Sequence, residues 1–161
     1  MDEDRMQFHT FRGYTLIQRE DGNLTPSMED YLEMIYRLSG ERGYTRINDL
    51  SQALSVQPPS TTKMVQRLAK YGYLRYERYG ILELTSEGRK LGNLLLKRHE
   101  MLEDFLRLLG VKGNVLHDTE RIEHIISDET LECINGFVEF AKANPEWLQR
   151  YRGRFSGVKE G

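Results

Sequence analysis

Residues 46–84 read RINDLSQALSVQPPSTTKMVQRLAKYGYLRYERYGILEL, and their order decides the fold. From Arg46 the apolar residues Ile47, Leu50, Ala53 and Leu54 recur at helical spacing. Ser55 to Pro59 breaks the run, and Met64, Val65 and Leu68 mark a second helix. Two short helices joined by a turn of a few residues form a helix-turn-helix pattern. Gly72 to Leu84 then places strand-forming residues on either side of a charged, glycine-containing tip, which predicts a β-hairpin. Helix, turn, helix and charged hairpin in this order describe a winged helix-turn-helix, a unit built to dock on double-stranded DNA.

Charge supports that reading. Between Tyr44 and His99 ten Lys or Arg residues stand against four acids, a surplus of +6 inside a chain whose net charge is −2. A basic block in an otherwise acidic chain is the electrostatic footprint of a polyanion contact, and the acidic remainder is free to hold cations. In a helix-turn-helix the second helix presents its N-terminal residues to base edges in the major groove. Here those residues are Gln57, Pro58, Pro59, Ser60, Thr61, Thr62 and Lys63. Gln57 can pair an adenine, the three hydroxyls can touch bases or phosphates, and a Pro or Thr methyl can lie on a thymine methyl. Lys63 and Arg67 suit phosphates, while Arg75 and Arg78 on the hairpin suit the backbone or the adjacent minor groove.

Upstream, Thr25-Pro26 reads as an N-cap with proline at the first helical position. The helix runs to about Ser39, with Met28, Tyr31, Leu32, Ile35, Tyr36 and Leu38 on its apolar face. Residues 1–24 form an N-terminal extension carrying Phe8, Phe11, Tyr14, Leu16 and Ile17; they fit an ordered arm and a mobile one equally. Downstream, Ser86 is placed to cap a long helix through about Leu109. A loop covers Gly110 to Asn114, and helices are expected from about Thr119 to Ser127 and from Asp128 or Glu129 to Ala143. Pro145 closes the last one, leaving 145–161 as a flexible tail. The expected organisation is an extension over 1–24, a DNA-binding domain over 25–86, a helical domain over 87–144, and the tail. The last helices carry more apolar surface than a unit of their size covers alone, which points to pairing with a second copy.

The composition, 39% apolar and 30% charged over 161 residues, excludes a disordered chain. No stretch approaches the ~20 apolar residues that span a bilayer, and Asp2, Glu3 and Asp4 are unlike a secretion signal, so the expected location is the cytoplasm, without a membrane partner. A single cysteine, Cys133, excludes an internal disulfide framework and reads as a small buried apolar side chain.

A second constellation lies outside the winged helix. Glu120, Glu123 and His124 stand at i, i+3 and i+4, so a helix projects all three from one face. Asp30 and Glu33 repeat the i, i+3 carboxylate spacing, and His99 adds an imidazole from a third segment. Four carboxylates and two imidazoles without a thiolate suit a fairly hard divalent ion of coordination number near six, Mn(II) or Fe(II) rather than structural zinc. Ligands that must lose protons to bind make affinity fall at low pH. Each residue alone also has a structural use: Asp30 could pair with Ser27, Glu33, Glu120 and Glu123 could be solvated, and His99 could be an interior histidine. A binuclear metallohydrolase is the competing function. It is disfavoured because the chain invests its basic residues in a winged helix rather than a substrate cleft, so no enzymatic activity is expected.

Taken together, Thr25-Pro26-Ser27-Met28-Glu29-Asp30-Tyr31-Leu32-Glu33, Lys63-Met64-Val65-Gln66-Arg67-Leu68, Leu84-Thr85-Ser86-Glu87-Gly88, Arg98-His99-Glu100 and Glu120-Arg121-Ile122-Glu123-His124 resemble the diphtheria toxin repressor family, and within it the manganese-responsive branch. The resemblance spans about residues 25–143. It implies a mainly α homodimer, with an N-terminal winged helix-turn-helix carrying a small β-hairpin and a helical metal-binding and dimerisation domain. It also implies a Mn(II)-activated repressor of metal-uptake genes acting on palindromic operators, with an Fe(II)-responsive regulator as the alternative. All six ligand positions of that branch are filled, by Asp30, Glu33, His99, Glu120, Glu123 and His124. By similarity, two ions per subunit would share Glu33 and Glu120; Asp30, His99 and Glu123 would complete one, and His124 would anchor the other. The loop before Glu120 is about one residue short, and His117 with Glu103 and His99 could form a different second site, as ancillary ligands.

Overall fold

The computed structural model describes residues 24–154, which form seven α-helices and a small antiparallel sheet. The expected extension over residues 1–24 lies, apart from Leu24, outside the described residues. The chain divides into two compact units at Leu96/Lys97, inside its longest helix.

In the first unit, α1 (Pro26–Ser39) starts as its sequence predicts: Thr25 is extended, its hydroxyl accepts from the Met28 amide, and Pro26 occupies the first turn. Strand β1 (Tyr44–Arg46) leads into α2 (Ile47–Ala53), followed by α3 (Pro58–Lys70), β2 (Leu74–Tyr76) and β3 (Ile81–Leu84). The expected break is shorter than its sequence suggested, because Pro58 and Pro59 already occupy the first turn of α3. The sheet order is β1-β3-β2, with Thr45 opposite Leu82 and Arg75 opposite Glu83. The sequence predicted only a hairpin; β1 is three residues long with one inward side chain, Thr45, too short for an alternation to register.

Helix α4 (Ser86–Leu109) is capped one residue earlier than expected. Thr85, not Ser86, supplies the cap: its hydroxyl accepts from the Gly88 amide at 3.1 Å and donates to the Gly72 carbonyl at 2.7 Å, tying the helix start to the base of the hairpin. Met28, Leu32 and Ile35 of α1, Leu50 of α2, Val65 and Leu68 of α3, Leu82 of β3, and Leu91 and Leu95 of α4 form the core of this unit.

In the second unit the remaining part of α4 is joined by α5 (Val115–Ile122), α6 (Asp128–Ala143) and α7 (Pro145–Gly153). Helix α5 begins and ends earlier than the expected Thr119–Ser127. Val115 and Thr119, both buried, extend its inner face backwards. Ser127 must be extended to cap α6, where it accepts from the Thr130 amide, so the chain leaves the helix before it.

The stretch from Pro145, expected as a flexible tail, is helical through Gly153 because Trp147 anchors it. Trp147 meets Phe137 and Phe140 edge-on, with centroids 5.8 and 5.6 Å apart, and stacks on Tyr151 at 5.5 Å. Leu108, Val138 and Ala141 lie beneath. Cys133, expected to be buried, is exposed on α6. No helix among the described residues is long and apolar enough to cross a membrane.

Candidate metal centre and DNA-binding surface

The helix-turn-helix is held at its turn by a buried hydrogen bond. Ser51 of α2 donates to the Thr61 hydroxyl of α3 at 2.8 Å, and Thr61 in turn faces the Gln57 carbonyl at 3.4 Å. Thr61 is 0% exposed, which corrects its assignment as a DNA contact: it pins the recognition helix to its neighbour and cannot reach a base. The periodicity already held this information, since Thr61 lies four residues before the buried Val65 and Ser51 four after the buried Ile47.

Gln57, Pro58, Pro59, Ser60, Lys63 and Arg67 are exposed, as are Arg75 and Arg78 on the hairpin. Thr62 is partly exposed and donates to the Pro58 carbonyl at 2.9 Å, leaving its lone pairs and methyl to meet a partner. At the N-terminus of α3, Pro58 and Pro59 carry no amide hydrogen and the Ser60 and Thr61 amides donate to the Gln57 carbonyl at 3.0 and 3.2 Å, so side chains rather than backbone amides face a partner here.

Each unit carries part of the candidate metal-ligand set. In the first, α1 bears Asp30, exposed, and one turn later Glu33, largely buried. Glu33 Oε1 accepts from Arg37 Nε at 2.9 Å and Nη2 at 2.5 Å. In the second, His99 of α4 and Glu123 at the end of α5 are 6% and 3% exposed, with His99 Nδ1 3.0 Å from Glu123 Oε2. The other oxygen of Glu123, Oε1, is 3.5 Å from His124 Nε2. When His99 donates its Nδ1 proton to Glu123, the ring's acceptor lone pair is on Nε2, the nitrogen that faces Glu103.

A carboxylate removed from water costs several kcal/mol unless a positive charge faces it, and an imidazole supplies one only when protonated. Glu123 between two imidazoles therefore suits a bound cation, and the oxygen and nitrogen donors fit a divalent metal. The structure brings His99, Glu123 and His124 together. Glu120 stands exposed on α5, one turn earlier. Glu103 Oε1 is 3.7 Å from His99 Nε2, whereas His117 is exposed with its Nδ1 3.5 Å from Asp118.

The sequence matches two family models: the N-terminal DNA-binding domain of the iron-dependent repressors over residues 23–82, and their metal-binding and dimerisation domain over 85–151. It is 49% identical over 129 residues to the HTH-type transcriptional regulator MntR of Geobacillus thermodenitrificans (strain NG80-2), covering 80% of this chain and 92% of that protein. The MntR of Geobacillus kaustophilus (strain HTA426) is 50% identical over the same shares. Among solved structures, the manganese regulator SloR is similar at 28% identity with a TM-score of 0.62, covering 73% of this chain and 55% of that one, so the chain spans about half the length of that neighbour. These matches bear out the resemblance seen in the motifs. The chain belongs to the iron-dependent repressor family, whose members are metal-dependent, DNA-binding transcriptional regulators.

Proposed function

We propose that this chain is a Mn(II)-activated homodimeric repressor of metal-uptake genes, reading a palindromic operator with α3 and the wing. The observation that carries the reading is the grouping of buried His99 and Glu123 with part-buried His124 in the segment that matches a metal-binding and dimerisation domain. Asp30 and Glu33 of α1, His99 of α4, and Glu120, Glu123 and His124 around the end of α5 would hold the metal, with two ions per subunit and Glu103 and His117 as ancillary candidates. A bound ion would supply positive charge that offsets the carboxylates.

The chain's own residues do the rest. The carboxylates of α1 would supply ligands from the unit that carries the helix-turn-helix, while Ser51 and Thr61 couple the position of α2 to α3. Gln57 to Ser60, with Thr62, face the bases, and Lys63, Arg67, Arg75 and Arg78 face phosphates. Two recognition helices held at a fixed spacing then fit successive major grooves of a two-fold symmetric site. The Mn(II) assignment is supported by a donor set without thiolate and by the likeness to a protein named a manganese regulator.

The test is fluorescence anisotropy of a labelled duplex, selected from a random library by the full chain, with chelator, Mn(II) or anaerobic Fe(II) at fixed salt. Mn(II) is expected to tighten binding tenfold or more, ~1.4 kcal/mol, and Glu120→Ala to abolish that gain while leaving the circular dichroism unchanged. Equal tightening by Fe(II) would make the chain an iron sensor. Indifference to metal would remove the sensor and leave a winged helix alone.

A further inference from the structure

The wing tip holds a tyrosine that is both strained and exposed. Tyr79 lies in the turn between β2 and β3 with φ 65° and ψ 22°, a left-handed conformation, and Gly80 follows at φ 73°. Its ring is 92% exposed, the most of any large apolar or aromatic side chain among the described residues. Both features cost stability. A left-handed backbone costs an L-residue ~1–2 kcal/mol, and turns of this kind favour Gly, Asn or Asp for that reason. An exposed ring gains nothing from burial in the folded chain. A strained, unburied aromatic at the tip of a loop is the kind of outlier that marks a contact with something outside the chain.

The surroundings identify the partner. Arg78 is the preceding residue and Arg75 lies on the adjoining strand, opposite Glu83 of β3, and both arginines are exposed, so the wing carries cations that suit a phosphate backbone. Glu77 is the one acid in the turn. We propose that Tyr79 is a DNA-contacting residue that packs its ring into the minor groove flanking the sequence read by α3, against deoxyribose and base edges, while Arg75 and Arg78 hold the phosphates on either side. Apolar and aromatic side chains wedge into the minor groove in this way because the groove walls are sugar, and contacts of this type are sensitive to groove width rather than to base identity. The proposal rests on the reading of α3 and the wing as the DNA-binding surface.

Strain makes the test discriminating, because Tyr79→Gly removes the ring and relaxes the backbone together. The full-length Mn(II)-loaded variant is expected to melt at the same or a higher temperature than the parent, yet to bind the selected duplex at least fivefold more weakly. Hydroxyl-radical protection should be lost at the flanks of the footprint and kept at its centre. Tyr79→Phe should stay within twofold of the parent, since packing rather than the hydroxyl carries the contact. Unchanged affinity in Tyr79→Gly would overturn the proposal, as would a loss of affinity accompanied by a weaker dimer in sedimentation, which would assign the ring to a protein contact. A parent chain that selects no duplex would sink the DNA reading itself, and this proposal with it.

Discussion

At the scale of single residues, the pair Ser51 and Thr61 shows how a polar side chain can be essential to a reading surface without touching the ligand. Both are buried, and the hydroxyl of Ser51 has Thr61 as its acceptor. Removing one partner strands the other in a water-poor site, at ~1–3 kcal/mol, whereas removing both leaves no orphan. Thr61→Val is therefore expected to lower stability by ~1–3 kcal/mol in urea denaturation, and the Ser51→Ala/Thr61→Val double variant to be more stable than the sum of the single losses predicts. Additive losses would mean that the hydroxyls act independently and that this bond is not the pin between α2 and α3. The same residues show what single-residue reading misses. Thr61 looked like a DNA contact because hydroxyls near the start of a recognition helix often are, yet its helical spacing from Val65 placed it inward. Tyr79 was invisible for the opposite reason: nothing in a sequence reports that a turn residue has adopted a left-handed backbone.

At the scale of elements, legibility followed the strength of the local signal. Helix α1 was readable to its first residue, since a Thr-Pro start and an apolar stripe state the same thing. Strand β1 was not, because three residues carry no period and the strand exists only by pairing with β3. Helix α7 was misread because the three arginines and three glycines after Gln149 resemble a tail, while Trp147 finds its aromatic neighbours only after the chain has folded. The junction of wing and α4 depends on a close approach that only glycine allows. A Cβ at Gly88 would lie 1.8 Å from the Tyr73 carbonyl oxygen, which no rotamer change can relieve because the obstructing atom is backbone. Gly88→Ala is expected to lower stability by ~3 kcal/mol or more, at the upper end for overpacking, and to weaken DNA binding through a displaced hairpin. Gly113→Ala, where a Cβ meets nothing within 4 Å, serves as the control and should leave the denaturation midpoint close to the parent's. Equal midpoints for the two variants would show that the hairpin base can slide and that its packing on α4 does not fix the wing.

At the scale of the whole molecule, the question is how a chain with one recognition helix per copy reads a site with useful affinity. The segment that matches a dimerisation domain leaves large apolar side chains in water: Ile125 is 83% exposed, and Leu116 and Phe140 are about half exposed. A small helical unit that leaves such groups uncovered gains by pairing, and pairing turns the second recognition event into an intramolecular one with a high effective concentration. A charged residue at an ordinary exposed position changes stability by only about 0.5 kcal/mol, so Leu116→Glu and Ile125→Glu separate the two cases. If these side chains form the interface, the double variant should sediment as a monomer, keep its helical circular dichroism, and lose at least tenfold in affinity for a two-half-site duplex while its weak binding to a single half-site stays the same. A double variant that remains dimeric would place the interface elsewhere on this unit. One that is monomeric yet binds the full site as tightly as the parent would show that the two half-sites are read independently, and the spacing argument for metal control would then fail with it.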